Sequence, residues 1–505
     1  MDRVVFSLNL AYTDRKIICI LGIVYCFFSD MASTSRNTIL MTLASVLQKV
    51  IAFAYFTLIA RQIGAEGTGK YFFALSFTTV FVVFVDLGLT NVFVREAAKA
   101  KEKMSTYLQT ILSIKFGLGI VSYIALVIVI NLMGYSQEMR HLVYLSGVTM
   151  LLDSIHLTLY GSLRALGELK YEAISIAGSQ FVTLILGSIF LFLHFPLIYL
   201  ILAFTISSAL NVIFVGAVLV RKDNVSLRLK YDKVIARTLV RIAIPFALAA
   251  IFARVYSYID SILLSKMIGD TAVGLYSIPY KITYAFQFIP LALIAALYPK
   301  FSEYFANDKK KLAFVFERGV KYLLLVAIPI AVGIGVLSKD IILTLYTAEY
   351  LPSVLPLQIL IASLVFSYLS FPIGAFLNAC DKQVSQTTIV GLVMVLNITL
   401  NVLLIPPLGI VGASIAALCG NILLTIFGYA IVPKVARISH SYIARSFVQI
   451  LLAGCVMGFA VFFVNEHAHF VYAILVGALV YPVSLFLFRS VTVGEMREAL
   501  VLIKK

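Results

Sequence analysis

Residues 58–73 read LIARQIGAEGTGKYFF, and residues 263–278 read LLSKMIGDTAVGLYSI. At a shift of 205 residues, both stretches contain an Ile-Gly pair, a second glycine five positions later and a tyrosine two positions after that. A second match, at a shift of about 211, aligns Pro196 with Pro407. Because repeats at a fixed spacing indicate a duplicated architecture, we predict a fold built from two related halves.

The first stretch also contains the Gly-x-x-x-x-Gly-Lys pattern of phosphate-binding loops, at residues 64–70. Such a loop follows a buried strand and continues with Ser or Thr, whereas here a membrane helix precedes it and Tyr71 follows Lys70. The second copy keeps both glycines and the tyrosine but has Leu275 in place of the lysine. We therefore interpret the glycines as a tight turn, and we expect no nucleotide, no other cofactor and no hydrolase machinery.

The composition predicts an all-α polytopic membrane protein. Of the 505 residues, 61% are hydrophobic and only 13% are charged. Apolar runs of about 20 residues recur along the chain, which is the length a helix needs to cross a bilayer. We count fourteen such spans between residues 38 and 488. The five cysteines and six histidines lack metal-ligand spacing, so we expect no metal site.

The distribution of charge predicts the orientation. Of the 40 Lys and Arg residues, 31 fall in the termini and even-numbered loops, five in odd-numbered loops and four inside spans. Since cytoplasmic loops carry the excess of basic residues, both termini are expected in the cytoplasm of a cell-membrane protein. The net charge of +16 then lies beside anionic lipid, and no nucleic-acid partner is needed to explain it.

The repeats divide the chain into two lobes of six spans each. An even number of spans means that both copies enter the membrane in the same direction, as parallel repeats do. Residues 1–30 are expected to be a disordered tail or an over-extended start outside the mature chain. The predicted units are a cytoplasmic tail (1–37), an N-lobe with helices 1–6 (38–220), a basic cytoplasmic linker (221–241), a C-lobe with helices 7–12 (242–432), and helices 13–14 with a cytoplasmic C-terminus (433–505).

Four cations inside the spans are the candidate binding residues: Lys49, Lys115, Arg254 and Lys281. Charges at membrane depth are costly and generally face a cavity or a partner. Lys49 and Arg254 are related by the same shift as the two glycine stretches, so they occupy equivalent positions and are expected to face one central cavity. Lys and Arg there suit a phosphate or pyrophosphate. The alternative is that each cation pairs with an interior carboxylate and ties helices together.

Three carboxylates inside the spans, Asp86, Asp153 and Asp260, are candidates for ion coupling or for structural roles. Asp153 is the best coupling candidate, although an isolated Asp in a span serves equally well as a helix–helix hydrogen-bond acceptor. Asp260 lies six residues after Arg254, which places it on a different helix face and makes it a poor local partner.

Two further motifs carry a family resemblance that covers residues 31 to about 490. In DLGLTNVFVREAAK (86–99), an Asp-x-Gly-hydrophobic run is followed by a basic residue, Arg95. RALGELK (164–170) ends the fourth span, and its counterpart NACDKQ (378–383) has a cysteine where glycine is expected. With the first-loop stretch and the six-plus-six-plus-two arrangement, these motifs resemble the oligosaccharide-lipid flippases of the multidrug/oligosaccharidyl-lipid/polysaccharide exporter superfamily.

The resemblance implies a non-enzymatic transporter that acts as a monomer on a polyprenyl- or dolichyl-linked oligosaccharide. The head group would cross between the lobes by alternating access while the lipid tail stays among the membrane lipids. Glycan-assembly proteins are the implied protein partners. A lipid II flippase and a cation-coupled multidrug exporter of the same superfamily are the related alternatives. A membrane sugar-chain ligase or polymerase is the alternative from another class, although such enzymes usually carry a large polar loop and no predicted loop is longer than the linker at 221–241.

Overall fold

A computed structural model describes residues 33–491, with the side chains of residues 33–39, 101, 245 and 246 left undescribed. The expected N-terminal tail (1–30) lies outside this range. The described part is helical, with short 3-10 turns at Lys101–Lys103, Ala348–Ser353 and Val432–Lys434. Its α-helices are α1 (Ser33–Asp86), α2 (Leu89–Lys99), α3 (Met104–Leu132), α4 (Gln137–Leu166), α5 (Leu169–Phe192), α6 (Ile198–Arg221), α7 (Lys233–Met267), α8 (Asp270–Ala285), α9 (Phe288–Asn307), α10 (Lys309–Val336), α11 (Ser338–Leu345), α12 (Val354–Ala379), α13 (Gln383–Tyr429), α14 (His440–His467) and α15 (Phe470–Leu487).

Two of these helices, α1 and α13, fold back on themselves at a glycine. Gly64 in α1 has a φ of 68°, and the rings of Phe56 and Phe72 on either side of it lie 6.2 Å apart. In a straight helix, sixteen residues would separate two positions by roughly 24 Å. Gly409 divides α13 in the same way, with a φ of 56°. Glycine serves at both turns because it adopts positive φ without a steric cost.

Twelve segments of the described chain are long and apolar enough to cross a membrane, which confirms the polytopic all-α class. Two of the twelve, 40–86 and 383–434, contain the hairpins at Gly64 and Gly409. Each hairpin has two apolar legs, so the described segments accommodate fourteen crossings. The number fourteen and the six-plus-six-plus-two arrangement stay predictions.

Buried side chains form a core in each predicted lobe and a third core between the lobes. The N-lobe core includes Phe93 and Leu163, and the C-lobe core includes Phe316 and Phe376, whose rings lie 5.0 Å apart. The central core contains side chains of α1 together with others from α8, α11 and the 3-10 turn at Ala348–Ser353. The helix hairpin α1 therefore forms much of the boundary between the lobes.

The duplicated glycine turns meet each other at this boundary. A Cβ atom added to Gly69 would lie 1.8 Å from the carbonyl oxygen of Asp270, and one added to Gly274 would lie 1.8 Å from that of Ala65. Asp270 and Ala65 are themselves equivalent positions of the two sequence repeats. The contact is thus reciprocal, as expected beside a local twofold axis, and only residues without a side chain permit it.

Contacts with the segment that follows α11 extend this junction. The amide of Ala65 donates a 2.9 Å hydrogen bond to Oε1 of Glu349. The hydroxyl of Tyr350 donates to the carbonyl oxygen of Ala60 at 3.0 Å and lies 3.0 Å from Oγ1 of Thr68. We refer to the Gly69–Gly274 contact and these hydrogen bonds together as the outer closure, because the charge distribution predicts that this end faces outward.

Candidate functional site

Lys49 and Arg254 occupy equivalent depths in the two lobes. Each lies fifteen residues before the glycine that ends its helical leg, Gly64 in α1 and Gly269 after α7. At 1.5 Å per residue, each cation is roughly 22 Å along its helix from that glycine. Both belong to predicted membrane spans, and their depth in the bilayer stays a prediction.

Two lysines each reach across the boundary between the lobes. Nζ of Lys49, on α1, lies 5.3 Å from the ring centroid of Tyr284 on α8. In the opposite direction, Nζ of Lys281 lies 5.1 Å from the ring of Phe56 and 5.4 Å from that of Phe72. Cation–π contacts of this kind hold an ammonium group against an aromatic face without neutralising it. The two ammonium groups are also close enough to repel each other.

A row of tyrosines connects these lysines to Arg254. The Arg254 guanidinium lies beside the hydroxyl of Tyr258, whose ring centroid is 6.2 Å from that of Tyr280. Tyr280 in turn stacks on Tyr284 at 5.8 Å. We refer to Lys49, Arg254 and Lys281 as the cation cluster. Among the described residues, no carboxylate lies within salt-bridge distance of any of the three.

Lys115, the fourth candidate cation, lies apart from the cation cluster. Its Nζ is 2.5 Å from Oδ1 of Asp86, 2.8 Å from the hydroxyl of Thr90 and 3.2 Å from the carbonyl oxygen of Ser154. Only 3% of Lys115 is exposed. This ion pair between the buried Lys115 and the half-buried Asp86 ties α3 to the end of α1 and to α4. A phosphate-binding role for Lys115 stays a prediction, as does a coupling role for Asp86.

The other two carboxylates have mainly neutral partners. Oδ1 of Asp153 accepts a 2.6 Å hydrogen bond from Ser208 and lies 3.4 Å from Nδ1 of His156. Asp260 is 6% exposed and accepts hydrogen bonds from Tyr276 (2.9 Å) and Asn401 (2.7 Å). Asp260 also lines a polar cavity of about 110 Å³ in the C-lobe. Neither carboxylate pairs with a described Lys or Arg, and their roles stay predictions.

Sequence reasoning missed the aromatic and amide side chains around the cation cluster. Tyr276, Tyr280 and Tyr284 recur every four residues and therefore lie along one face of α8. Asn397 and Asn401, four residues apart on α13, are both buried. These regular spacings of polar groups within apolar segments were the available signal, but a single sequence does not show which helix face meets the other lobe.

The fold, with twelve apolar segments among the described residues, is that of a polytopic helical membrane protein. Comparison with known proteins agrees: the chain belongs to the polysaccharide biosynthesis protein family, whose model matches residues 34–305. The MatE family model matches residues 245–403. The resemblance predicted from the sequence, to polysaccharide flippases of the multidrug/oligosaccharidyl-lipid/polysaccharide exporter superfamily, is thus confirmed.

Individual relatives support the same class. "Probable flippase AglR" of Haloferax volcanii is 30% identical over 191 residues, which are 36% of this chain and 39% of that protein. "Uncharacterized membrane protein MJ1068" of Methanocaldococcus jannaschii is 23% identical over 459 residues, covering 84% of this chain and 88% of that one. The solved structure of lipid II flippase MurJ in an inward closed conformation matches with a TM-score of 0.73 at 19% identity, over 89% of this chain and 99% of that chain. This last similarity concerns the fold.

Proposed function

We propose that the chain moves the head group of a lipid-linked oligosaccharide from the cytoplasmic to the outer leaflet of the cell membrane. In this proposal the phosphate or diphosphate of a polyprenyl or dolichyl carrier binds the cation cluster between the lobes. The sugar follows through the same space while the lipid tail remains in the bilayer. A polar group crosses the membrane in this way without being exposed to hydrocarbon.

The observation that carries the proposal is that Lys49, Arg254 and Lys281 lie along one row of aromatic rings at the lobe boundary, with no carboxylate of the described residues within salt-bridge distance. An unpaired charge at membrane depth costs free energy. Because binding of an anion would offset this cost, three such cations along one boundary favour an anion-binding function. Arg254 offers a planar fork for two phosphate oxygens, and the two lysines offer movable point charges. A phosphate bridging Lys49 and Lys281 would also remove the repulsion between them.

The arrangement of the lobes supports transport by alternating access. The outer closure joins the lobes at the predicted outer end, whereas Lys281 lies roughly 10 Å along α8 from Gly274, and Lys49 and Arg254 lie roughly 22 Å along their helices from the turn glycines. Opening the lobes at one end and closing them at the other would present the same cluster to each leaflet in turn. Breaking the glycine contact is therefore the step that would release a head group outward.

A lipid II flippase is the nearest alternative, because lipid II also carries a diphosphate between a polyprenyl tail and a sugar. The cation cluster could bind the diphosphate of either substrate, so only recognition of the sugar would distinguish the two functions. A multidrug exporter for cationic drugs is less compatible, since the cluster would repel such a substrate.

Head-group translocation in proteoliposomes tests the proposal. The substrate is a fluorescently labelled polyprenyl diphosphate sugar, and dithionite destroys label on the outer leaflet only. We expect wild-type protein to expose the inner-leaflet label, and Lys49→Ala with Arg254→Ala to slow this at least tenfold. Each lost charged hydrogen bond costs about 1.5–3 kcal/mol. Wild-type rates in the double variant would overturn the phosphate site.

Two controls make the result specific. Lys49→Arg keeps the charge, so we expect it to retain most of the activity lost in Lys49→Ala. Lys339→Ala removes an exposed cation from the first turn of α11 and should leave transport unchanged. Replacing the substrate by lipid II in the same vesicles decides between the two sugar classes.

A further inference from the structure

A groove lined by basic and aliphatic side chains lies outside the path between the lobes. We propose that the groove between α3 and the first turns of α7 binds an anionic phospholipid of the cytoplasmic leaflet. The groove has a volume of about 1170 Å³ and is lined by α3 on one side and by residues 231–244 on the other. It is separate from the cation cluster, and the proposal does not depend on what the transporter carries.

The first turns of α7 extend beyond the apolar part of that helix. The predicted C-lobe begins at residue 242, whereas α7 begins at Lys233, nine residues or roughly 14 Å earlier. One face of this extension packs into the N-lobe core through Leu239 and Ala243. The opposite face lines the groove. An amphipathic segment beside the predicted cytoplasmic end of a span is placed at the level of the lipid head groups.

Three cations follow this outer face at helical spacing: Lys233, Arg237 and Arg241. All three are exposed, all three line the groove, and they extend over roughly 12 Å of the helix axis. None forms an ion pair with a carboxylate of the described chain. Among the described residues, no acidic side chain lines the groove.

The cations at the start of α7 do not stabilise this helix. Positive charge in the first turn of a helix opposes the helix dipole. The N-terminus is already capped by Asp232, whose Oδ1 accepts hydrogen bonds from the amides of Val234 (2.9 Å) and Ile235 (3.1 Å). Lys233 thus adds positive charge at a helix end that disfavours it, and a bound anion would offset this repulsion.

The remaining lining residues suit the acyl chains of a lipid. Exposed aliphatic side chains on α7 alternate with the cations, namely Val234 (76% exposed), Val240 (37%) and Ile244 (62%). On α3, Gly117 leaves open space, since a Cβ added there would meet nothing within 4 Å. Cations beside an apolar floor fit a phosphate head group attached to lipid tails, whereas a free phosphate would use only the cations.

Lipid binding to the purified full-length protein tests this site. The probe is dioleoylphosphatidylglycerol, with the zwitterionic dioleoylphosphatidylcholine for comparison, and bound lipid is counted by native mass spectrometry. Each basic residue beside an anionic lipid contributes about fivefold in affinity. We therefore expect Lys233→Gln, Arg237→Gln and Arg241→Gln together to weaken phosphatidylglycerol binding about 100-fold, with little change for phosphatidylcholine.

A matched variant separates this groove from general surface charge. Arg228→Gln, Lys230→Gln and Lys310→Gln remove three exposed cations that do not line the groove. We expect this variant to bind phosphatidylglycerol like the wild type, and equal loss in both triple variants would overturn the proposal. Gly117→Phe fills the groove from α3, keeps every charge, and should also displace the lipid. Preferential retention of undecaprenyl phosphate over phosphatidylglycerol would overturn the assignment to a phospholipid.

Discussion

Replacing Gly69 by alanine tests whether the outer closure is a movable contact between the lobes. The new Cβ would lie 1.8 Å from the carbonyl oxygen of Asp270, whereas real Cβ atoms essentially never approach closer than 3.0 Å. The two helices would therefore have to separate locally until the new Cβ lies at least 3.0 Å from the carbonyl oxygen of Asp270. Backbone atoms block the methyl group, so a change of rotamer cannot relieve the clash.

The expected cost of this overpacking is about 1–3 kcal/mol. If the lobes relieve it by opening at the outer end, the cost falls on the closed state alone. A cost of about 2 kcal/mol then shifts the closed-to-open ratio about 30-fold toward the open state. Gly274→Ala should give the same shift because its contact is reciprocal. The double variant should fall short of the product of the two shifts, since the first opening relieves the second clash.

Pulsed electron–electron double resonance, which gives the distribution of distances between two spin labels, measures this shift toward the open state. Spin labels at Gln137→Cys and Lys339→Cys, two exposed residues at the predicted outer ends of the two lobes, report their separation. The five native cysteines are replaced by alanine in this background. We expect a longer distance to gain population in Gly69→Ala. Gly117→Ala is the control, because its Cβ would meet nothing within 4 Å.

A folded Gly69→Ala protein with the distance distribution of the control would refute this reasoning. It would show that the helices accommodate the methyl group without separating the lobes.

Three further predictions concern the ion pair, the closure and the C-lobe carboxylate. Lys115→Met leaves the half-buried Asp86 without its cation, so we expect a loss of about 1.5–3 kcal/mol in unfolding free energy, measured by thermal denaturation in detergent. Adding Asp86→Asn should restore part of it. Glu349→Gln keeps an acceptor for the Ala65 amide and should leave the distance distribution unchanged, whereas Glu349→Ala should favour the open state. Asp260→Asn preserves the shape of a buried group, so we expect the protein to stay stable. If Asp260 couples transport to an ion, the variant should no longer transport faster or slower when a proton or sodium gradient is imposed.

The sequence alone predicts the class and names all three residues of the cation cluster, and the predicted duplication singles out two of them. Lys49 and Arg254 could be identified because the fixed shift between the repeats makes their depths equal, whatever the packing of the helices. Their closeness to Lys281 is visible only in the structure. In a membrane helix all faces are apolar, so hydrophobic periodicity does not reveal which face meets the other lobe.

The ion pair between Lys115 and Asp86 could not be predicted from the sequence either. Its partner Asp86 lies 29 positions earlier and on another helix, and no local spacing rule relates the two residues. The glycine turn illustrates the opposite case. At Gly69 and Gly274 the helix backbones are so close that no side chain fits, and only glycine is compatible with the contact. This requirement appears in the sequence as a repeated glycine motif.

Direct binding of a polyprenyl diphosphate tests the central claim, that the cation cluster binds the phosphate of the carrier. Isothermal titration calorimetry with farnesyl diphosphate, a short-chain probe, compares the wild type with a variant carrying Lys49→Met, Arg254→Met and Lys281→Met. Since each charged hydrogen bond contributes about 1.5–3 kcal/mol, we predict at least about 100-fold weaker binding by the variant. An unchanged affinity in a folded variant would contradict the account.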